Sequence, residues 1–262
     1  FARLRAAGVE VEVLSADDSQ SLKSRELNIG FFSRMIRKTP WVRMKIAASL
    51  DGKTALENGS SQWITSPAAR ADGHAWRARS CAVLTGMGTV LQDDPRLDVR
   101  LVQTTRQPKV VVIDSDLQTP VDAAIFMPGR EVLIYTATRS EARKSALEES
   151  GATVVFVPGI RADDTSTGKV DLAAMLLDLG RREINELHVE AGHRLNGSLI
   201  REGLVDELLI YLAPKLLGQG REMASWGPLS DLGQALQLDF RSTAAVGPDL
   251  RLIARVTGRD VF

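Results

Sequence analysis

The chain has 262 residues, 44% of them hydrophobic and 25% charged, an ordinary balance for a globular protein. Its 33 basic and 33 acidic side chains cancel, so no net field steers it to nucleic acid and no run of like charge marks an interaction tail. Apolar runs break well before the roughly 20 residues of a membrane span, no secretory signal opens the chain, and the single cysteine excludes an internal disulfide and a multi-cysteine metal site. A cytoplasmic protein with no metal, no membrane and no nucleic-acid partner is expected.

Residues 1–7 read as a short helix, 9–14 alternate as a strand would, and 21–38 read as a helix rich in Arg and Lys. Pro40 interrupts the pattern, so 1–38 are expected to be an appendage and 39–262 the main domain. The opening on Phe1 rather than Met reads as a fragment, or as a chain whose start lies upstream. Beyond Pro40 the apolar runs 42–48, 81–85, 109–114, 131–136, 153–157, 186–190, 206–213 and 250–256 read as strands. Between them 67–80, 140–150, 172–182 and 194–202 read as helices. Such alternation predicts an α/β fold with a mostly parallel sheet covered on both faces. Ser66 is placed to cap the helix at 67–80, with Pro67 at its first position, where the missing N–H costs nothing. Asn58-Gly59 signals a turn. Two late strands with no helix between them predict antiparallel strands at a sheet edge. Cys81, inside an apolar run, reads as a small core residue.

Four stretches carry chemistry. The run Gly86-Met87-Gly88-Thr89-Val90-Leu91-Gln92-Asp93-Asp94-Pro95-Arg96-Leu97-Asp98-Val99-Arg100 follows a strand. Its glycines let a backbone approach a ligand, its adjacent acids suit proton chemistry, and Arg100 suits a phosphate. In 43–55, alternation places Arg43, Lys45 and Ala47 on one face; a lysine there meets an anion or polar ligand, or else snorkels from a sheet edge. Trp63, among Ser60, Ser61 and Thr65, can stack on a flat ring or cover the core edge. Arg70, His74 and Arg77 share one helix face, which by default is solvated.

The fourth stretch, Val189-Glu190-Ala191-Gly192-His193-Arg194-Leu195-Asn196-Gly197-Ser198, is a strand, a glycine turn and a helix start, an arrangement that offers free N–H groups to phosphate. Its spacing imitates a P-loop, but Ser198 stands where that motif needs lysine, and the three-glycine dinucleotide fingerprint is absent. None of the three histidines, His74, His188 and His193, has metal-ligand spacing, and no nucleophile elbow is present. All three read as structural or peripheral.

Taken in order, Lys45–Ala55, Ser61-Gln62-Trp63-Ile64-Thr65, 86–97, 189–192, and 204–207 with 214–218 resemble the reductase domain of the bifunctional riboflavin-biosynthesis deaminase/reductase. The resemblance runs from about Asn28 to the C-terminus, and residues 1–27 look like the tail of the deaminase half, whose zinc site is absent from this chain. It implies a dihydrofolate-reductase-like fold, NADPH as hydride donor, and reduction of 5-amino-6-(5-phosphoribosylamino)uracil to its ribityl counterpart. By motif, Ala47, Trp63, Thr89, Asp93, Ser115 and the turn Gly192, His193, Arg194, Leu195, Asn196, Gly197 and Ser198 fall at cofactor positions. Ser61, Arg77, Leu97, Arg100 and Glu190 fall at substrate positions.

On that resemblance Asp93 is expected to handle the proton, with Lys45 polarising or orienting the substrate. Arg77 and Arg100 would hold the phosphate, and Glu190 would bond ring or ribose donors. A homodimer is expected. Two other readings remain: a pterin reductase of the dihydrofolate type, and a nucleotide-binding domain without catalysis. The paired arginines discriminate against the first, Lys45 and Asp93 against the second.

Overall fold

Strand β1 (Trp41–Ser49) organises a sheet of nine strands in a computed structural model that describes residues 1–160 and 165–262. Its even residues Val42, Met44, Ile46 and Ala48 enter one core, and its odd residues face the other side. On one flank β1 pairs parallel with β9 (Glu186–Val189), which pairs parallel with β3 (Ala82–Gly86). From there β4 (Lys109–Ile113), β5 (Val132–Thr136) and β6 (Ala152–Phe156) continue in parallel. These are short continuous apolar runs because both faces are covered.

On its other flank β1 pairs parallel with β10 (Glu207–Ala213). Antiparallel strands β13 (Asp249–Val256) and β12 (Leu238–Val246) complete that edge. The expected α/β architecture with a mostly parallel sheet and an antiparallel edge is present. Three strands form this edge where two late strands were expected; β12, largely exposed and mixing polar with apolar residues, gave no continuous apolar run to read.

Helices α7 (Leu172–Arg181) and α8 (His193–Arg201) cover one face through Met175, Leu176, Leu179 and Leu199. The other face takes α4 (Pro67–Arg79), α5 (Met87–Asp93) and α6 (Glu141–Glu149), through Ala69, Val90 and Leu147. Helix α4 starts as expected: the Ser66 hydroxyl accepts from Ala69 N–H at 3.3 Å, with Pro67 in the first turn. Two small antiparallel pairs lie outside the main sheet. They join β2 (Lys53–Leu56) to β11 (Gly220–Glu222) and β7 (Pro158–Ile160) to β8 (Ser166–Val170).

The N-terminal expectation needs two corrections. Residues 9–14 alternate in sequence but form no strand, because nothing pairs with them and Val9, Val13 and Leu14 stay exposed. The single helix expected at 21–38 is broken into α2 (Ser19–Leu27), α3 (Ile29–Phe32) and a π-helical turn, Ser33–Arg37. The break lets Ile29, Gly30 and Ser33 be buried, with Gly30 against the Asn185 backbone, where a Cβ would clash. This end of the sheet also carries a buried ion network. Arg43 bonds Glu186 and Glu207, and Arg255 bonds Glu207 and Glu26.

Candidate active site

The carboxyl ends of β1, β3 and β9 open into one cleft, the place where open α/β sheets bind ligands. A cavity of about 270 Å³ lies over β1 and β9, lined by Lys45, Ala47, Ser61, Thr89, Asp93, Glu190, Gly192 and Asn196, among others. A second, of about 700 Å³, extends over Gly86, Gly88, Ser115, Arg194 and Leu195. The two share Thr89, Gln92, Gly192, His193 and Arg221. Thus the loop after β3 and the turn after β9, far apart in sequence, face a common space.

Glu190, the residue after β9, lines the first cavity. Arg77 on α4 grips it with two bonds, Nε to Oε1 at 2.8 Å and Nη2 to Oε2 at 3.0 Å. Lys45 Nζ stands 3.9 Å from Oε2, and His188 Nε2 stands 3.5 Å from Oε1. Burial alone would raise the carboxyl's pKa, but Arg77, His188 and Lys45 together hold it well below the usual carboxylate range. His188 is fully buried, and that burial lowers the pKa of its imidazole.

The adjacent acids Asp93 and Asp94 part company. Asp94 takes a left-handed turn at the end of α5 and accepts from Ala124 N–H at 2.7 Å. Asp93 lines the cavity, and partial burial raises its pKa against the opposing charge of Arg221. A carboxyl so shifted is suited to giving and taking a proton.

Arg77 does not stand open beside Arg100. Its third nitrogen, Nη1, donates to the Asp98 carbonyl, so the whole guanidinium is engaged within the protein. Arg100 meets the same segment through the Asp98 carboxylate at 2.6 Å. Leu97, expected at a substrate position, is buried in the core. Trp63 lies outside both cavities, 61% exposed, with the Arg70 guanidinium stacked 4.3 Å over its ring. Ser198 donates to the Arg194 carbonyl, and Gly197 packs against the Ser225 backbone, where a Cβ would clash.

The histidines are less peripheral than their spacing suggests. His193 lines both cavities, and His188 flanks Glu190. His74 Nδ1 accepts from the Arg100 N–H at 3.2 Å; burial and the charges of Arg77 and Arg100 pull its pKa down to about 4. Sequence reasoning missed Thr54, Gln92, Asp116, Lys169, Arg221 and Met223, all of which line the cavities. Thr54 and Arg221 arrive on the β2–β11 pair, whose strands of four and three residues are too short to show a period. Among the described residues no group of acids, histidines and cysteines is placed to hold a metal ion.

The site can receive a dinucleotide. Helix α8 begins at Gly192 with no side-chain cap, so its first N–H groups remain free for an anion. A Cβ on Gly88 would meet no atom within 4 Å, so that glycine leaves open space in the larger cavity. Asn196, a lining residue of the first cavity, donates to the Met223 carbonyl, and its buried Oδ1 has no partner within the protein.

Fold and cleft together define a dihydrofolate-reductase-like oxidoreductase domain. The chain belongs to the family described as RibD C-terminal domain, whose model matches residues 40–252. It is 39% identical to riboflavin biosynthesis protein RibD of Escherichia coli, over 95% of this chain and 68% of that protein. The protein of the same name from Aquifex aeolicus is 33% identical, over 95% of this chain and 65% of its own length. The chain thus spans about two thirds of the curated relatives it matches. Acinetobacter baumannii RibD, form 1, superposes with a TM-score of 0.80 at 33% identity, over 97% of this chain and 67% of that one. Saccharomyces cerevisiae Rib7, 21% identical with a TM-score of 0.61 over 84% of this chain and 90% of its own, shares the fold.

Proposed function

We propose that this domain reduces 5-amino-6-(5-phosphoribosylamino)uracil to its ribityl counterpart with NADPH. The observation that carries the reading is the meeting of Asp93 and Lys45 with the Glu190–Gly192 turn in one cavity. Membership of the RibD C-terminal domain family supports it. Thr89, Ser115, His193, Arg194 and Asn196 are the residues that would hold the cofactor, with the free N–H groups at the start of α8 facing its phosphates. NADPH supplies a hydride when bound.

The protein's own groups do the rest. Ring opening of the ribosylamine leaves an electron-poor C1, and reduction there requires one proton at nitrogen or oxygen. Asp93 delivers that proton, its raised pKa keeping more of the acid form available near neutral pH. Lys45 orients the substrate. Glu190, locked as the anion by Arg77, accepts from the substrate's ring or ribose donors. Ser61 and Arg100 take the remaining polar contacts, Arg100 on the phosphate side.

In this reading the enzyme is cytoplasmic and homodimeric. The edge strand β12, unpaired on one side with Phe240 exposed, supports pairing of two copies. The start of the family match at residue 40 supports 1–38 as appendage and linker. Loss of NADPH absorbance on adding the phosphoribosylamino-uracil tests the activity. Turnover of dihydrofolate instead, or of neither compound, overturns it.

A further inference from the structure

Asp98 stands within the motif that follows β3, yet it has no part in the chemistry above. It is 3% exposed, and its two oxygens hold two different arginines. Oδ1 takes Arg100 Nη1 at 2.6 Å and Oδ2 takes Arg96 Nε at 3.3 Å. The arginine side chains are themselves open, 58% exposed for Arg96 and 51% for Arg100, and neither makes another ion pair among the described residues. A buried carboxylate therefore presents two guanidiniums to solvent side by side.

A third cation stands near them. Arg130 is 8% exposed; its Nη2 donates to the Ile125 carbonyl at 2.5 Å, while Nε and Nη1 are buried with no partner. It lies within the field of Asp98, Arg77 and Arg96. Arg77 is already matched by Glu190. Among the described residues Asp98 is the one carboxylate in an ion pair with Arg96 or Arg100, and this excess of positive charge suits a phosphate monoester, which carries roughly −1.5 to −2 at pH 7. The Asp98 backbone lies one guanidinium away from the cavity lining, because Arg77 bonds its carbonyl and Glu190 together.

We propose that Asp98 is a positioning residue that holds Arg96 and Arg100 as a two-arginine clamp for the substrate's phosphate, with Arg130 as buried positive charge behind it. The inference deepens the proposed function and rests on it for the identity of the phosphate-bearing substrate. Arg96 becomes a further binding residue, and Asp98 acts through the arginines.

Charge counting and positioning predict opposite results at Asp98, which makes the idea testable. Removing a carboxylate from a cationic site should tighten phosphate binding if only net charge matters. If Asp98 aligns the clamp, Asp98→Asn weakens it. The experiment titrates ribose 5-phosphate into the full chain by calorimetry, with ribose as the dephosphorylated control and thermal unfolding as the fold control. Arg96→Ala, a change at an exposed side chain, is expected to weaken ribose 5-phosphate about tenfold, the scale of one charge-assisted hydrogen bond. Asp98→Asn is expected to weaken it as well, and both variants raise KM for the uracil substrate with little change in kcat.

Unchanged binding in Arg96→Ala, or unchanged or tighter binding in a folded Asp98→Asn, overturns the clamp; if Asp98→Asn does not fold, Arg96→Ala decides alone. A wild-type chain that consumes NADPH with the uracil substrate yet ignores ribose 5-phosphate also overturns it and leaves the reductase reading standing. Phosphate binding that depends on Arg96 without any NADPH turnover upholds the clamp and removes that reading.

Discussion

Arg77 and Glu190, 113 residues apart, form a two-bond ion pair at the cleft, with N–O distances of 2.8 and 3.0 Å. Arg77 is buried and Glu190 largely so, and each would be costly without the other. Arg77→Met leaves Glu190 without its strongest partner. The expected loss of stability is about 3 kcal/mol, read from urea unfolding. The carboxyl's pKa then moves upward, so the acid limb of the pH–rate profile shifts to higher pH. A variant with wild-type stability and an unmoved acid limb contradicts the pairing.

Asp93 is the group with a proton to give. Asp93→Asn keeps the shape and removes the acid. Turnover should fall by about 10²–10⁴-fold while KM for the substrate stays within a few-fold of wild type. Steady-state NADPH oxidation decides it: near-normal kcat moves proton transfer to another residue.

His74 ties acid stability to the site. Its pKa is about 4 in the folded protein against 6.5 in the unfolded chain, so the unfolded chain binds the extra proton between those values. The contribution is therefore complete above pH 6.5 and is lost progressively as the pH falls toward 4. Its full size is about 3 kcal/mol, from about 1.4 kcal/mol per pKa unit. His188, depressed by burial in the same direction, adds to the slope. Unfolding free energies measured from pH 7 to 4 should fall less steeply in His74→Gln; an equal slope sinks the assignment.

Gly197, on α8, packs against the segment around Ser225, next to the cavity-lining Met223. A methyl group there runs into the Ser225 backbone, and Met223 and Ser225 are bonded to Asn196 and His193. Gly197→Ala is expected to push 223–225 away and to weaken NADPH binding by roughly tenfold, the scale of about 1.4 kcal/mol. Quenching of intrinsic tryptophan fluorescence by the cofactor measures it. Unaltered affinity shows that this segment does not shape the cofactor site.

The sequence by itself determined the parallel half of the fold. Buried strands such as 82–86 and 132–136 need continuous apolar residues, and a helix such as 67–79 declares its start through Ser66 and Pro67. It also marked the two glycine turns, since a backbone that must approach a ligand leaves that trace in composition. Only the tertiary structure decided which charges meet. Arg77 reads as one more cation on a helix face until Glu190 folds against it, and Asp98 is one residue among the run after β3 until Arg96 and Arg100 close on its two oxygens. The same holds for residues 9–14, whose alternation finds no partner strand, and for Arg221, delivered to the cleft by a three-residue strand. Periodicity is local, whereas the partner that satisfies a buried charge or an unpaired strand lies a hundred residues away and is chosen by packing.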